Sequence, residues 1–295
     1  MSDFFRDMAD SPFLRNGLVA GLLASLACGV IGPYVVTRRI VFLSGAIAHM
    51  AVGGIGAAIY LAAMFPALFQ TSSGPWLQPI HGAMVAALLG AVILGVVHHR
   101  ATERMDTLIG ALWAVGMALG ILLIKYTPGY HTELMSYLFG NLAIVDGRDL
   151  WRMLVLDAVI LVVVLVCHKR LLAICLDQEQ AELQGINVLG TSIVLLCLVA
   201  LTVISLTQLV GLILVIALVS LPAATAAHHV TRMAPLFVVS TLLCAVLTTV
   251  PRIAVYGTRV NPESAIVLAA GGVYLLSVLA RRFIGRFRRN TSEGA

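Results

Sequence analysis

Continuous apolar runs of about twenty residues, separated by short polar stretches, fill most of this 295-residue chain. The runs do not alternate, so they predict membrane-crossing helices and exclude a barrel of strands about ten residues long. Candidate spans are residues 13–36, 40–64, 80–97, 108–124, 150–166, 190–205, 209–227, 236–250 and 264–280. The fourth is short and runs into Thr127-Pro128-Gly129, so a re-entrant or broken helix, and a count of eight, stay open. The fold class is all-α, a polytopic helical membrane protein forming a single domain over residues 1–295. Between spans, the stretch 66–79 reads as a Pro/Ser/Gly linker. Residues 133–141 read as an interfacial helix with Tyr137 and Phe139 at headgroup level.

One polar island breaks the pattern. Residues 176–188, LDQEQAELQGINV, predict a short amphipathic helix projecting into water. Asp177 supplies the N-cap and Gln180 closes a capping box. Leu176 and Ala181 occupy the staple positions, and Gly185 the stop. An ordered acidic helix at the rim of a membrane bundle predicts docking of a soluble partner.

Composition narrows the class. The chain is 60% hydrophobic and 11% charged, with a mean hydropathy of +1.00, outside the soluble globular range. Its net charge of +5 resides at span ends, which fits membrane anchoring rather than nucleic acid. With nine spans, twelve basic residues fall on the side of Arg38/Arg39 and the C-terminal tail, and seven on the other. The positive-inside rule then sets the N-terminus outside and the C-terminus in the cytoplasm, with the polar island. The five cysteines form neither a disulfide framework nor a CxxC knuckle. The first dozen residues, carrying Asp3, Asp7 and Asp10, lack the basic region of a signal peptide.

Candidate chemistry is sparse. Gly45, His49 and Gly53 share one helix face, continued by Gly56 and Ala57, so His49 points into the bundle. It is either a substrate-path residue or a histidine bonded to a neighbouring helix. Asn16, Asp157, Thr202, Thr207, Gln208 and Ser220 are further polar groups in or near spans, with structural hydrogen bonds the expected role of each. His98/His99 and His228/His229 diverge by about 100° and read as snorkelling side chains at span ends. His131 and Glu133, on an outer loop, have no diagnostic spacing. Pro222 inside LPAATA predicts a kink that can serve as a hinge. No P-loop, GxGxxG, HExxH or nucleophile elbow occurs, so no enzyme active site is expected.

Several segments together resemble the permease subunits of zinc/manganese/iron ABC importers, relatives of the vitamin B12 and siderophore permeases. They are CGVIGPYVVTRRIVFLSGAIAHMAVGGIGAA (28–58), DTLIG (106–110), SYLFG (136–140), the island 177–185, VG (210–211), LPAATA (221–226) and SAIVL (264–268). The resemblance covers nearly the whole chain. It implies an ABC type II importer-like fold in a bacterial inner membrane. It also implies a dimeric pore, identical or mixed, with no permanently bound cofactor and a divalent metal ion, zinc foremost, as substrate. An extracytoplasmic binding protein would deliver the ion, and separate ATPases would dock on the coupling helix through Asp177, Glu179, Ala181, Glu182, Leu183 and Gly185. The implied path includes His49, as a transient metal ligand, with Gly45, Asn16, Gln208 and Gly257. The family pattern carries aspartates where this chain has Gly45 and Gly257, so two hard oxygen ligands are lost. A chelate permease, a non-transporting scaffold and an intramembrane enzyme are the rival readings.

Overall fold

The computed structural model describes residues 7, 11–71, 74–100, 105–128 and 145–292. Among them, nine helices are long and apolar enough to cross a membrane. They are α1 (Pro12–Thr37), α2 (Val41–Met64), α3 (Pro79–Arg100), α4 (Met105–Lys125) and α5 (Gly147–Leu176), then α7 (Val188–Val210), α8 (Leu212–His229), α9 (Met233–Ala254) and α10 (Pro262–Ser292). The short α6 (Gln178–Leu183) lies between α5 and α7. The all-α expectation holds. Helices are the form that satisfies every backbone donor and acceptor within one segment, as hydrocarbon requires.

Several boundaries differ from the expectation. The fourth span is an unbroken helix of 21 residues, neither re-entrant nor broken. α5 runs for 30 residues, well past the predicted end at 166. Lys169 and Arg170 lie beyond that predicted end, yet both ride on the last turns of the helix. The linker after α2 holds a single helical turn, Pro66–Phe69, and a two-residue antiparallel ladder in which Gln70 pairs with Pro75. The predicted interfacial helix at 133–141, with His131 and Glu133, lies outside the described residues.

Helix ends follow local chemistry. Pro12 opens α1 at a position where its missing N–H is no loss. Arg39 takes the left-handed conformation (φ 57°) that lets the chain reverse into α2. α7 and α8 meet at buried Gly211 alone, at φ 82°, a backbone state other residues rarely adopt.

Two sectors share the core, with α7 between them. In the first, α2 lies between α3 and α4 and is apolar on all sides. In the second, α1 packs on α5, α8 and α9, and α10 covers α8 and α9. α7 touches α1, α2, α3 and α5. α1, α2, α7 and α8 are buried over more than half of their apolar length, whereas α4, α5 and α10 are mostly on the outside.

Candidate functional site

The small-residue face read in the sequence is the face that receives α4. A Cβ added to Gly53 would lie 2.7 Å from the Gly116 carbonyl oxygen, and one on Gly56 would lie 2.5 Å from that of Gly120. Only hydrogen side chains permit this approach, so the two backbones touch directly. On the α3 side, Gly54 and Gly82 face each other so closely that a Cβ on either would collide with the other's carbonyl oxygen.

His49 sits in this packing, 6% exposed. Its Nδ1 lies 2.9 Å from the Gly45 carbonyl oxygen. A carbonyl only accepts, so Nδ1 carries the hydrogen, and in the neutral ring Nε2 keeps its lone pair for a Lewis acid. The ring lies against Trp113 of α4, with centroids 4.2 Å apart and planes inclined by 31°. The same indole fills the space beside Gly45, where a Cβ would be 2.7 Å from Trp113 Cζ3. Sequence reasoning found His49 and Gly45 but missed Trp113, which stands on another helix. Among the described residues, no three His, Cys, Asp or Glu side chains gather as a resident metal site.

The other path candidates are not next to His49 within one chain. Asn16 donates to the Val145 carbonyl at 3.0 Å, tying α1 to the segment before α5. Gly257 turns an exposed loop after α9 at φ 76°, with open space around it. The side chain of Gln208 lies outside the described residues.

Pro222 lies within α8, which continues through it. Its missing N–H leaves the Leu218 carbonyl without an intrahelical donor, and the Cys244 thiol of α9 fills that role at 4.0 Å. Ser220 and Thr225 bond back to Ile216 and Leu221 on either side of it.

Polar groups in the second sector are mostly paired. Ser25 and Thr248 share a hydrogen bond at 2.9 Å between α1 and α9. Tyr34 bonds His168 Nδ1 at 2.7 Å, and Arg38 donates to Ser192 at 2.9 Å. Burial lowers the Arg38 guanidinium from its ordinary value, with Cys175 opposing. Arg252, buried at one end of α9, lies over Gly17 and within electrostatic reach of Glu263. Asp157 stands apart, together with the hydroxyls of Ser205 and Ser240, which also lack a partner among the described residues. It is 2% exposed, and among the described residues neither carboxylate oxygen has a hydrogen-bond partner, contrary to the structural bond expected of it. His228 and His229, expected to diverge, converge on one atom: His228 Nδ1 and His229 Nε2 lie 2.9 and 3.0 Å from Ser277 Oγ.

The polar island folds much as its caps dictate. Asp177 closes α5 and opens α6, accepting from the N–H groups of Glu179 and Gln180 at 2.9 and 3.1 Å. Gly185, at φ 76°, ends it, while Ala181 tucks inward. The staple is not made, because Leu176 stays 69% exposed. Glu179, Glu182 and Leu183 face outward, Leu183 at 88% exposure.

Comparison with known proteins places this arrangement. The model of the ABC 3 transport family matches residues 10–281. A membrane protein of Synechocystis is 40% identical over 92% of this chain and 91% of its own. A protein of Chlamydia trachomatis named "probable metal transport system membrane protein" is 34% identical over 92% and 90%. The manganese transport system membrane protein MntC of Halalkalibacterium halodurans is 30% identical over 76% and 72%. In the solved structure of PsaBC from Streptococcus pneumoniae in complex with Fab, one chain superposes with a TM-score of 0.80 at 27% identity, covering 94% of both chains. With a family match that covers eight of the nine long helices whole and most of α10, and a bundle that superposes on a solved relative, this chain belongs to the ABC 3 transport family, as a membrane permease subunit.

Proposed function

We propose that the chain forms half of a pore importing a divalent metal ion, manganese foremost, across a bacterial inner membrane. The observation that carries this reading is His49, a buried imidazole with Nε2 free to coordinate, held at a fixed angle on a helix locked between two others. A lone imidazole holds a passing ion weakly, which suits a path the ion must also leave. The names of the manganese-transporting relatives support the choice of ion. Zinc is the second reading, because imidazole suits zinc and Gly45 offers no carboxylate.

An ABC ATPase docks on α6, where exposed Leu176 and Leu183 flank Asp177, Glu179 and Glu182. The excess of basic residues at that end of the bundle puts α6 and the C-terminus in the cytoplasm and the N-terminus outside. A second permease copy completes the pore, and an extracytoplasmic binding protein delivers the ion to the opposite end. ATP-driven closure of the ATPases moves the two α6 helices and exchanges outward-open for inward-open states.

Uptake of radioactive manganese and zinc into proteoliposomes holding the assembled transporter tests this. Wild-type protein takes up the ion only with ATP, and His49→Ala removes most of that uptake. An unaltered rate in His49→Ala would overturn the path, and uptake of a chelate alone would replace the substrate. Glu179→Lys with Glu182→Lys abolishes co-purification of the ATPase and leaves membrane insertion intact.

A further inference from the structure

We propose that His228, His229 and Ser277 form a divalent-cation site at the end of the bundle assigned above to the cytoplasm, and that an ion bound there ties α8 to α10 and slows transport. The site stands on geometry alone, whereas the slowing rests on the import reading above. His228 and His229 are the last two residues of α8, beside the short loop that leads to α9. Ser277 belongs to α10 and is 7% exposed. His228 Nδ1 and His229 Nε2 lie 2.9 and 3.0 Å from its Oγ. The His228 ring is also held by Tyr274, one turn earlier on α10, with centroids 5.5 Å apart and planes inclined by 28°.

A ring nitrogen bonds through its in-plane lone pair or hydrogen, so two imidazole nitrogens are aimed at one point. A serine hydroxyl has a single hydrogen, so it can donate to only one of the two rings and accepts from the other. Moving the second ring's hydrogen to its other nitrogen turns both lone pairs on that point, and neutral imidazole is the commonest metal ligand. Around an ion with bonds of about 2.1 Å, ligands at right angles stand about 3.0 Å apart. Both N···O separations here have that size, so an ion replaces hydrogens rather than side chains. Two imidazoles and a hydroxyl, with His229 exposed, hold an ion exchangeably, short of the donor set of a resident site. Such ligands rank zinc above manganese. Arg281, one turn beyond Ser277 and within electrostatic reach of His228, weakens the hold. Pro222 interrupts the hydrogen bonding of α8 less than two turns before His228, and a metal bond to α10 restrains the segment beyond it.

Two measurements test this. Zinc chloride is titrated into the full chain in lipid nanodiscs, in a His49→Ala background so that the candidate path contributes nothing. His228→Asn with His229→Gln keeps an amide at each position that bonds Ser277 and removes both imidazoles, which separates metal binding from packing. The pair of changes should weaken zinc binding at least about tenfold, the loss that even an outer-shell partner causes, and leave the thermal midpoint without zinc unchanged. Arg281→Gln should tighten zinc binding, and manganese chloride should bind more weakly than zinc chloride. In proteoliposomes holding the assembled transporter, zinc chloride added on the ATP side should slow manganese uptake severalfold in wild-type protein. The double variant should escape that slowing and match wild type without zinc.

Equal zinc affinity with and without the two imidazoles would overturn the site. Zinc bound through the pair with no slowing of uptake would overturn the tie between helices and leave the site standing. Zinc that slows uptake only from the opposite face would overturn the cytoplasmic assignment. If wild-type protein imports neither manganese nor zinc, the import reading falls, while the titration still decides the site. Should the double variant fail to fold, the tightening by Arg281→Gln decides, and its absence overturns the site.

Discussion

Both sectors of this bundle use close glycine contacts, and only one of them adds a set of polar bridges between helices. Around α2, helices meet backbone to backbone through Gly53, Gly54, Gly56, Gly82, Gly116 and Gly120. Around α1, close backbone contacts recur, a Cβ on Gly29 meeting the Thr241 backbone and one on Gly32 lying 2.5 Å from the Val219 carbonyl oxygen, and the helices are also joined by hydroxyl, imidazole and guanidinium groups such as Ser25–Thr248, Tyr34–His168 and Arg38–Ser192. In lipid no hydrophobic force draws apolar helices together, so contact dispersion and polar bridges are what remain. Close contact fixes distance tightly and tolerates no added atom. Polar bridges fix register and tolerate substitution. His49 occupies the first of these sectors, and Asp157, the carboxylate without a partner, occupies the other.

Substitutions can break this contrast in order of size. Gly54→Leu should be the most damaging, because its Cβ would enter the Gly82 carbonyl and force α2 from α3. A loss above about 4 kcal/mol is expected, read as absence of a monodisperse peak in detergent. The same change at Gly272, where a Cβ meets nothing, should leave the peak intact. Asp157→Leu should act in the opposite direction and stabilise by about 1–3 kcal/mol, seen as a higher thermal midpoint, since a buried polar group without a partner is removed. If it also abolishes uptake, that carboxylate is held for function against stability. Asp177→Ala should weaken α6 by about 1 kcal/mol and speed proteolysis there without altering the bundle. Ser25→Ala should have the smallest effect, about 0.6 kcal/mol, because interhelical hydrogen bonds in membranes contribute little on average.

Much of the fold was legible in the sequence, for physical reasons that also mark where legibility ends. Runs of apolar residues reveal spans because burial of backbone polarity in lipid leaves little choice but helix. The Gly45–His49–Gly53 face was readable from helical spacing, and α6 from Asp177 and Gly185. What covers that face was not readable. Gly116, Gly120 and Trp113 meet it across a tertiary contact that no local pattern announces. The length of α5 was missed because Lys169 and Arg170 read as a span end, although long basic side chains can leave a continuing helix for water. His228 and His229 were read as divergent by their angular offset, yet flexible χ angles bring both rings to Ser277.

Asp177 is at once the C-cap of one helix and the N-cap of the next, so a single extended residue separates the six-residue α6 from the 30-residue rod behind it. At 1.5 Å per residue that rod is about 45 Å long, the full depth of a bilayer with its headgroups. Were the small helix pushed, as the docking proposed above requires, the force would enter one continuous helix that reaches the opposite surface of the membrane. Leverage of this kind needs no relay of side chains, only a stiff member with a handle at its end.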